Sequence, residues 1–246
     1  MMREWKFGLW LIVLSCCVPM AFAEPAGKVP AGSTKEDKAP VDVSRWRDAP
    51  ASLVMGAHTT PEEDYDAAVK ADGKGDAMGA LKLYKRAADG GHAKAQVQTA
   101  FILSKSGYME DAVSYYRKAA EQGNVDGQFG LGTSYAGGEG VKKDLIEARK
   151  WITLAAKQGH IEAISVMADA YIEGGLGLDD AVLQGAEALN WIRLAADNNY
   201  HKAIIALIDA YSAGKYGLAP DPEKAKELYK KLGKEDIKKT SSKKRR

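Results

Sequence analysis

The chain has 246 residues, with 35 Lys/Arg against 33 Asp/Glu and a net charge of +2. That length suits one or two ordinary domains. The charge is uneven, because the stretch from Lys234 to Arg246 holds seven Lys/Arg against two Asp/Glu. The body before it is therefore mildly acidic, which excludes a basic face for nucleic acid there.

The N-terminus reads as an export leader. Arg3 and Lys6 precede an uncharged stretch from Phe7 to Ala23 with an apolar run at Leu9–Leu14, and Ala21-Phe22-Ala23 offers small residues two apart. Basic, apolar and small-x-small is the order of a secretory signal peptide, cleaved here after Ala23. The stretch has 17 residues and contains Pro19, short of the roughly 20 apolar residues of a membrane-spanning helix. Val13-Leu14-Ser15-Cys16 also resembles a lipobox, with Cys16 as the acylated residue. The signal-peptide reading is preferred, because leucine before the small residue is unusual in a lipobox and the apolar stretch ahead of Cys16 is short. Both cysteines, Cys16 and Cys17, lie in this leader. A chain beginning at Glu24 then has no disulfide, thiolate metal site or cysteine nucleophile.

Residues 24–60 read as a disordered linker. Pro25, Pro30, Pro40 and Pro50 interrupt it, and no helical period of apolar residues runs through it. Trp46 and Leu53-Val54-Met55 stand out as a cluster able to dock on the first repeat.

From residue 61 to 233 the chain repeats itself. Ala80, Ala112, Ala148, Ala188 and Ala225 each open a copy of Ala-x-x-[Leu/Tyr/Trp], closed by Leu83, Tyr115, Trp151, Trp191 and Leu228. Alanine pairs follow in four copies, as Ala87-Ala88, Ala119-Ala120, Ala155-Ala156 and Ala195-Ala196. A turn residue comes next, at Gly91, Gly123, Gly159 and Asn199. The opening alanines are 32, 36, 40 and 37 residues apart, periods that signify stacked units. Steps of three and four put the ring and the alanines on one helix stripe. The turn residue supplies the left-handed conformation that ends a helix.

A second helix succeeds each turn. Ala95, Gly127, Ala163 and Ala203 hold its small position, and Thr99, Leu131, Met167 and Leu207 its apolar one. Leu103, Tyr135, Tyr171 and Tyr211 lie near its end. Trp151, Trp191 and these tyrosines are expected to be structural residues of the repeat. Asp144 with Glu147 has the spacing of a capping box, and Asp221-Pro222 that of a cap before a first-turn proline. No window alternates like a strand, so the fold class is all-α.

Gly130-Leu131-Gly132, Tyr135, Gly137-Gly138-x-Gly140-Val141, Asp144, Ala148, Trp151, Ala155-Ala156 and Gly159-His160 together resemble a Sel-one-like repeat, a longer-looped relative of the tetratricopeptide repeat. The resemblance covers residues 61–233 and implies a right-handed α/α superhelix of about five helix pairs. It also implies an adaptor, since such proteins are scaffolds of membrane-associated or secreted complexes. In bacteria they serve envelope assemblies, polysaccharide export, flagellar motors or host contact. In tetratricopeptide-like solenoids the first helix of each unit lines the inner curve. Counted from the unit start, position five is then Val97, Phe129, Ser165 and Ile205, and position nine Phe101, Thr133, Asp169 and Asp209. Position two is Lys94, Asp126, Glu162 and Lys202. Phe101 and Phe129 are expected to make one end apolar, and Glu162, Asp169 and Asp209 the other end acidic. Such a groove suits a peptide with an apolar anchor and a basic flank. The alternative for the two phenylalanines is packing between helices.

Candidate catalytic groups carry less weight. His92, His160 and His201 sit at repeat junctions as turn residues, and His58 stands alone. No histidine pair has the i, i+4 spacing of a helical zinc site, so no metal or cofactor is expected. Ser212-Ala213-Gly214-Lys215 matches S-x-x-K, found in penicillin-recognising enzymes, and some cysteine-rich relatives of the family are described as β-lactamases. It has neither the S-D-N nor the K-T-G companion. An envelope hydrolase on this scaffold remains the alternative to an exported, periplasmic or secreted adaptor. The expected partner is a protein or peptide, not nucleic acid. The basic tail, residues 234–246, is read as a disordered, solvated end, with weak contact to an anionic envelope surface as the second reading.

Overall fold

The computed structural model describes residues 59–243. The leader with Cys16 and Cys17, the expected docking of Trp46 and Leu53-Val54-Met55, and the last three basic residues lie outside it. Every regular element among the described residues is helical. The helices are α1 (Pro61–Gly73), α2 (Ala77–Asp89), α3 (Ala93–Lys105), α4 (Met109–Glu121), α5 (Val125–Gly137), α6 (Leu145–Lys157), α7 (Ile161–Glu173), α8 (Asp180–Leu183), α9 (Ala186–Asp197), α10 (His201–Ala213) and α11 (Pro222–Lys243). They form five antiparallel pairs, α1/α2, α3/α4, α5/α6, α7/α9 and α10/α11, with the single turn α8 inside the long 174–185 loop.

Local chemistry decides where the pairs form. Thr60 closes a capping box with Glu63 ahead of Pro61, so α1 starts at a fixed residue. His92, Asn124 and His160 each accept the backbone N–H three residues on, at 3.1, 2.9 and 3.1 Å. Just before these capping residues, Gly91, Gly123 and Gly159 adopt φ of 94°, 82° and 90°, and Asn199 does the same job at 62°. That is the left-handed turn the spacing predicts.

Asp144 caps α6 as expected, accepting from Ile146 and Glu147 at 2.9 and 3.1 Å. Glu147 does not complete the box. Its carboxylate takes the Trp151 indole N–H at 3.1 Å and the Lys150 ammonium at 3.0 Å. Asp221 caps α11 through the Lys224 N–H. The helical backbone of α11 continues to Lys243, ten residues beyond Gly233. The boundary drawn at Gly233 therefore falls inside a helix, because Gly233 is followed by residues that tolerate helix, with no proline to stop it.

The alanine pairs are buried in all four copies, as are Ala95, Ala163 and Ala203. Each unit thus sets small methyl groups against a large apolar side chain of its neighbour. Within the stripe the deepest large residue lies one place after the predicted ring. Ile152 and Ile192 are fully buried, while Trp191 is 8 % exposed and Trp151 has an edge in solvent. Tyr171 is buried, whereas Tyr135 and Tyr211 lie at the core margin. There they accept hydrogen bonds from Arg117 at 2.9 Å and Arg193 at 3.3 Å.

Buried glutamines add polar contacts to the second and third units. Gln96 donates to the Ala88 carbonyl and accepts from Gln122 at 2.7 Å. One unit on, Gln128 accepts from Gln158 at 2.7 Å. Gln96 and Gln128 are both buried, so the pairing satisfies groups that would be costly alone. At the same position in α7 and α10 stand Ile164 and Ile204, also buried.

Candidate functional site: the inner face of the first helices

The helices α1, α3, α5, α7 and α10 lead their units. Across unit boundaries α3 touches α5 and α7 touches α10, which draws the leading helices together on one side of the stack. Their buried stripe takes positions three, four, seven and eight, for example Ala163, Ile164, Met167 and Ala168 in α7. Positions five and nine fall off that stripe. None of Val97, Phe101, Phe129, Thr133, Ser165, Asp169, Ile205 and Asp209 is buried. Phe101 is 39 % exposed and Ile205 49 %.

The leading helix α1 precedes the first Ala-x-x-[Leu/Tyr/Trp] copy, which opens at Ala80, and it extends this face. Tyr65 and Val69 occupy its positions five and nine, and Val69 is 38 % exposed. Two of the junction histidines belong to this face as positioning residues. His92 stacks on Tyr65 with ring centroids 4.4 Å apart, and its Nε2 lies 3.0 Å from Glu62. His160 repeats the arrangement with Phe129 at 4.5 Å and Asp126 at 3.5 Å. In both rings Nδ1 accepts the capping N–H, so the proton sits on Nε2 and points at the carboxylate. Phe129 is therefore covered on one side by its histidine, while the Lys105 ammonium lies 5.5 Å from the Phe101 ring centroid.

The acidic end differs from the sequence expectation. Asp169 accepts the Tyr200 hydroxyl at 2.7 Å and pairs with Lys202 at 2.9 Å, and Lys202 also meets Glu173. Burial first, and then this bond to Asp169, push the Tyr200 hydroxyl up to about 12. Asp169 is thus a strut between α7 and α10, paired with Lys202, while Asp209 is exposed. Asp169 and Tyr200 are 31 residues apart, and the intervening loop hides their proximity from any local pattern. Ser212 and Lys215 of the S-x-x-K match are exposed at the end of α10. Among the described residues no group of three or more His, Cys, Asp or Glu is placed to hold a metal ion.

The Sel1 repeat family model matches residues 71–92, 109–124, 125–160, 162–200 and 205–236, more than half of the chain. The chain belongs to the Sel1 repeat family. A Sel1 repeat protein from Oxalobacter formigenes has a similar solved structure, with a TM-score of 0.53 and 27 % identity over 73 % of this chain and 71 % of that one. The Sel1 chain also resembles an exopolysaccharide production negative regulator of Rhizobium leguminosarum bv. viciae, 42 % identical over 59 residues. It is 35 % identical over 83 residues to the DAP3-binding cell death enhancer 1 of Rattus norvegicus. These matches cover 24 % and 33 % of this chain but only 22 % and 16 % of the relatives. Sel1 repeats mediate protein–protein interaction, and the fold here is the interaction scaffold of that family.

Proposed function

We propose that this Sel1-repeat chain is an exported adaptor that holds an extended protein segment along the inner face of its leading helices. The observation that carries this reading is the exposure of Phe101 and Ile205 on that face, where large apolar side chains have no partner helix to bury them. Val69, Phe101 and Ile205 offer apolar anchor points, and Asp209 with Asp126 offers charge for a basic flank. The export part of the proposal is supported by the order of Arg3, Lys6, the apolar run and Ala21-Phe22-Ala23. Its setting is the periplasm or the exterior of a bacterial cell.

Both halves are testable. Intact-mass measurement of the exported protein should give a chain starting at Glu24; a mass with acylated Cys16 would make it a lipoprotein. For the inner face, Ile205→Asp with Asp209→Lys should cut capture of the envelope partner about a hundredfold, by removing one apolar anchor and one charge. The melting curve should not move, because both side chains are exposed. Asp169 is left alone in that test, since its replacement would break the Tyr200 bond. Undiminished capture by the double variant would put the partner on another surface.

A further inference from the structure

Beside Phe101 the inner face deepens into a cleft of about 290 Å³, bounded by Phe101, Lys105, Met109, Tyr116, Thr133 and Glu139. It lies where the ends of α3 and α5 meet the start of α4, at the junction of the second and third units. Pockets for whole small molecules run from roughly 300 to 1,000 Å³, so this one is of side-chain size. Its hydroxyls are already used. Ser104 donates to the Phe101 carbonyl at 2.8 Å, and Thr133 and Ser134 both donate to that of Gly130 at 2.9 Å. The surface left to an occupant is mainly the Phe101 and Tyr116 rings and the Met109 thioether.

The loops that follow the leading helices explain why the cleft is open here. In the third, fourth and fifth units the loop begins on a left-handed glycine, Gly138, Gly174 and Gly214, with φ of 78°, 79° and 71°. A second one follows at Gly140, Gly177 and Gly217, with φ of 67°, 65° and 74°. The second glycine docks alike in two of them. Gly140 lies directly on the Met109 backbone, and a Cβ at Gly177 would stand 3.4 Å from Leu145 Cβ. Met109 and Leu145 each precede an opening alanine, Ala112 and Ala148, by three residues. Two residues separate the glycines in the later loops, Gly175-Leu176 and Lys215-Tyr216, but Glu139 stands alone between them in the third unit. Leu176 and Tyr216 are buried in the core cluster at φ of 48° and 55°, a backbone conformation that bulky residues hold only where packing enforces it. Those loops thus supply an apolar plug of their own. The shorter third loop supplies an exposed carboxylate, Glu139, at the rim of the cleft.

We propose that the cleft is the socket of this missing plug, and that it takes one leucine- or tyrosine-sized side chain from the protein segment bound along the inner face. The proposal rests on that face being the binding surface, and it names the kind of residue the segment presents at this junction. Size and apolar character follow from Leu176 and Tyr216, which fill the loop position that Glu139 leaves without an apolar side chain. Continuity with the face comes through Phe101, which holds position nine of α3 and also walls the cleft. Glu139 and Lys105 bring one acid and one base to the cleft, so the socket selects for apolar bulk rather than for charge. A single enclosed apolar side chain is the usual form of an interface anchor.

The test is an NMR titration of the full chain with labelled methionine methyls, the Met109 resonance being assigned through Met109→Leu. The probes are N-acetyltyrosinamide and N-acetylleucinamide, with N-acetylglutaminamide as the polar control. Both apolar probes should shift the Met109 methyl saturably, with a Kd on the order of millimolar, and the control should bind at least about tenfold more weakly. Phe101→Asp should weaken the apolar probes about tenfold and leave the melting curve unchanged, since Phe101 is exposed. A loop graft, Glu139→Gly with one leucine inserted before Gly140, should fill the socket from within and abolish the shifts. No saturable shift at Met109, equal binding of the control, or binding indifferent to Phe101→Asp would overturn the proposal, whether or not the graft folds. Probe binding that survives in a folded graft would overturn it as well. If the probes fail while capture still depends on Ile205 and Asp209, the adaptor reading stands and the socket falls. If the probes bind as expected but capture ignores Ile205 and Asp209, the inner-face reading falls, and the origin assigned to the side chain falls with it.

Discussion

Ile152→Ala should destabilise the repeat stack by roughly 2–5 kcal/mol, the range for removing a fully buried aliphatic side chain and leaving a cavity. The upper half of that range is expected, for a local reason. Ile152 has no accessible surface, and it packs on Gly132, where a Cβ would come within 2.6 Å of Ile152 Cγ1 and 3.0 Å of its backbone N. The facing wall is helix backbone, which has no side chain to swing into the void, so the site cannot collapse. Trp151→Ala should cost less than a wholly enclosed tryptophan, because one edge of the ring is in solvent and its N–H bonds a partly exposed Glu147. Trp191→Ala, with the ring 8 % exposed, should approach the 3–5 kcal/mol of a buried tryptophan. Urea unfolding of the three variants would check the order. A larger loss for Trp151→Ala than for Trp191→Ala would mean that the stripe turns the other way.

That ordering shows where sequence reasoning works in this fold. Steps of three and four place Ala148, Trp151, Ala155 and Ala156 on one side of a helix, and the alanines are indeed buried. A stripe in a solenoid is wide, because each helix meets a neighbour on two flanks. Periodicity marks its centre only to within a residue, and Ile152, next to the tryptophan, takes the deepest place. The turns are more legible still, since Gly91, Gly123, Gly159 and Asn199 each need a left-handed backbone that few residues accept.

Contacts between the paired helices of a unit are not legible. Gln122 with Gln96 and Gln158 with Gln128 join residues 26 and 30 apart, and no local pattern links a glutamine at a helix end to one inside an earlier helix. Positions five and nine of the leading helices are unburied, as the repeat register predicts. What the charges do there is not readable, because Asp169 is taken up by Tyr200 and Lys202 from the next unit. The junction histidines His92 and His160 are legible as turn residues, and they prove to be caps. Their stacking on Tyr65 and Phe129 needs the preceding unit, which no window of sequence around the histidine contains.

Arg86→Ala should loosen α1 from α2 within the first unit at a cost of about 3 kcal/mol. Asp64 is a buried carboxylate on α1, and Arg86 on α2 holds it with both Nε, at 2.6 Å, and a terminal nitrogen. Thr59 adds its hydroxyl at 2.5 Å. Burial alone would raise the Asp64 carboxyl; the Arg86 and Thr59 bonds outweigh it and hold the group below the usual carboxylate range. Removing Arg86 strands a charge in the interface, which for buried pairs costs about 3–5 kcal/mol, with the low end expected here because the guanidinium is partly exposed. A carboxyl whose folded pKa is depressed contributes stability above its unfolded value, near 3.8, and loses that contribution as pH falls through the folded one. The wild-type first unit should therefore loosen below about pH 4, whereas Arg86→Ala should already be loose at pH 7 and should not loosen further on acidification, because protonation relieves the stranded Asp64 charge. In a solenoid each unit contacts only its neighbours, so the loss should appear as early hydrogen exchange in α1 and α2, with the units from α5 onward still protected. Uniform loss of protection from α1 to α11 in Arg86→Ala would show instead that the stack unfolds as one cooperative body and that the pair anchors all of it.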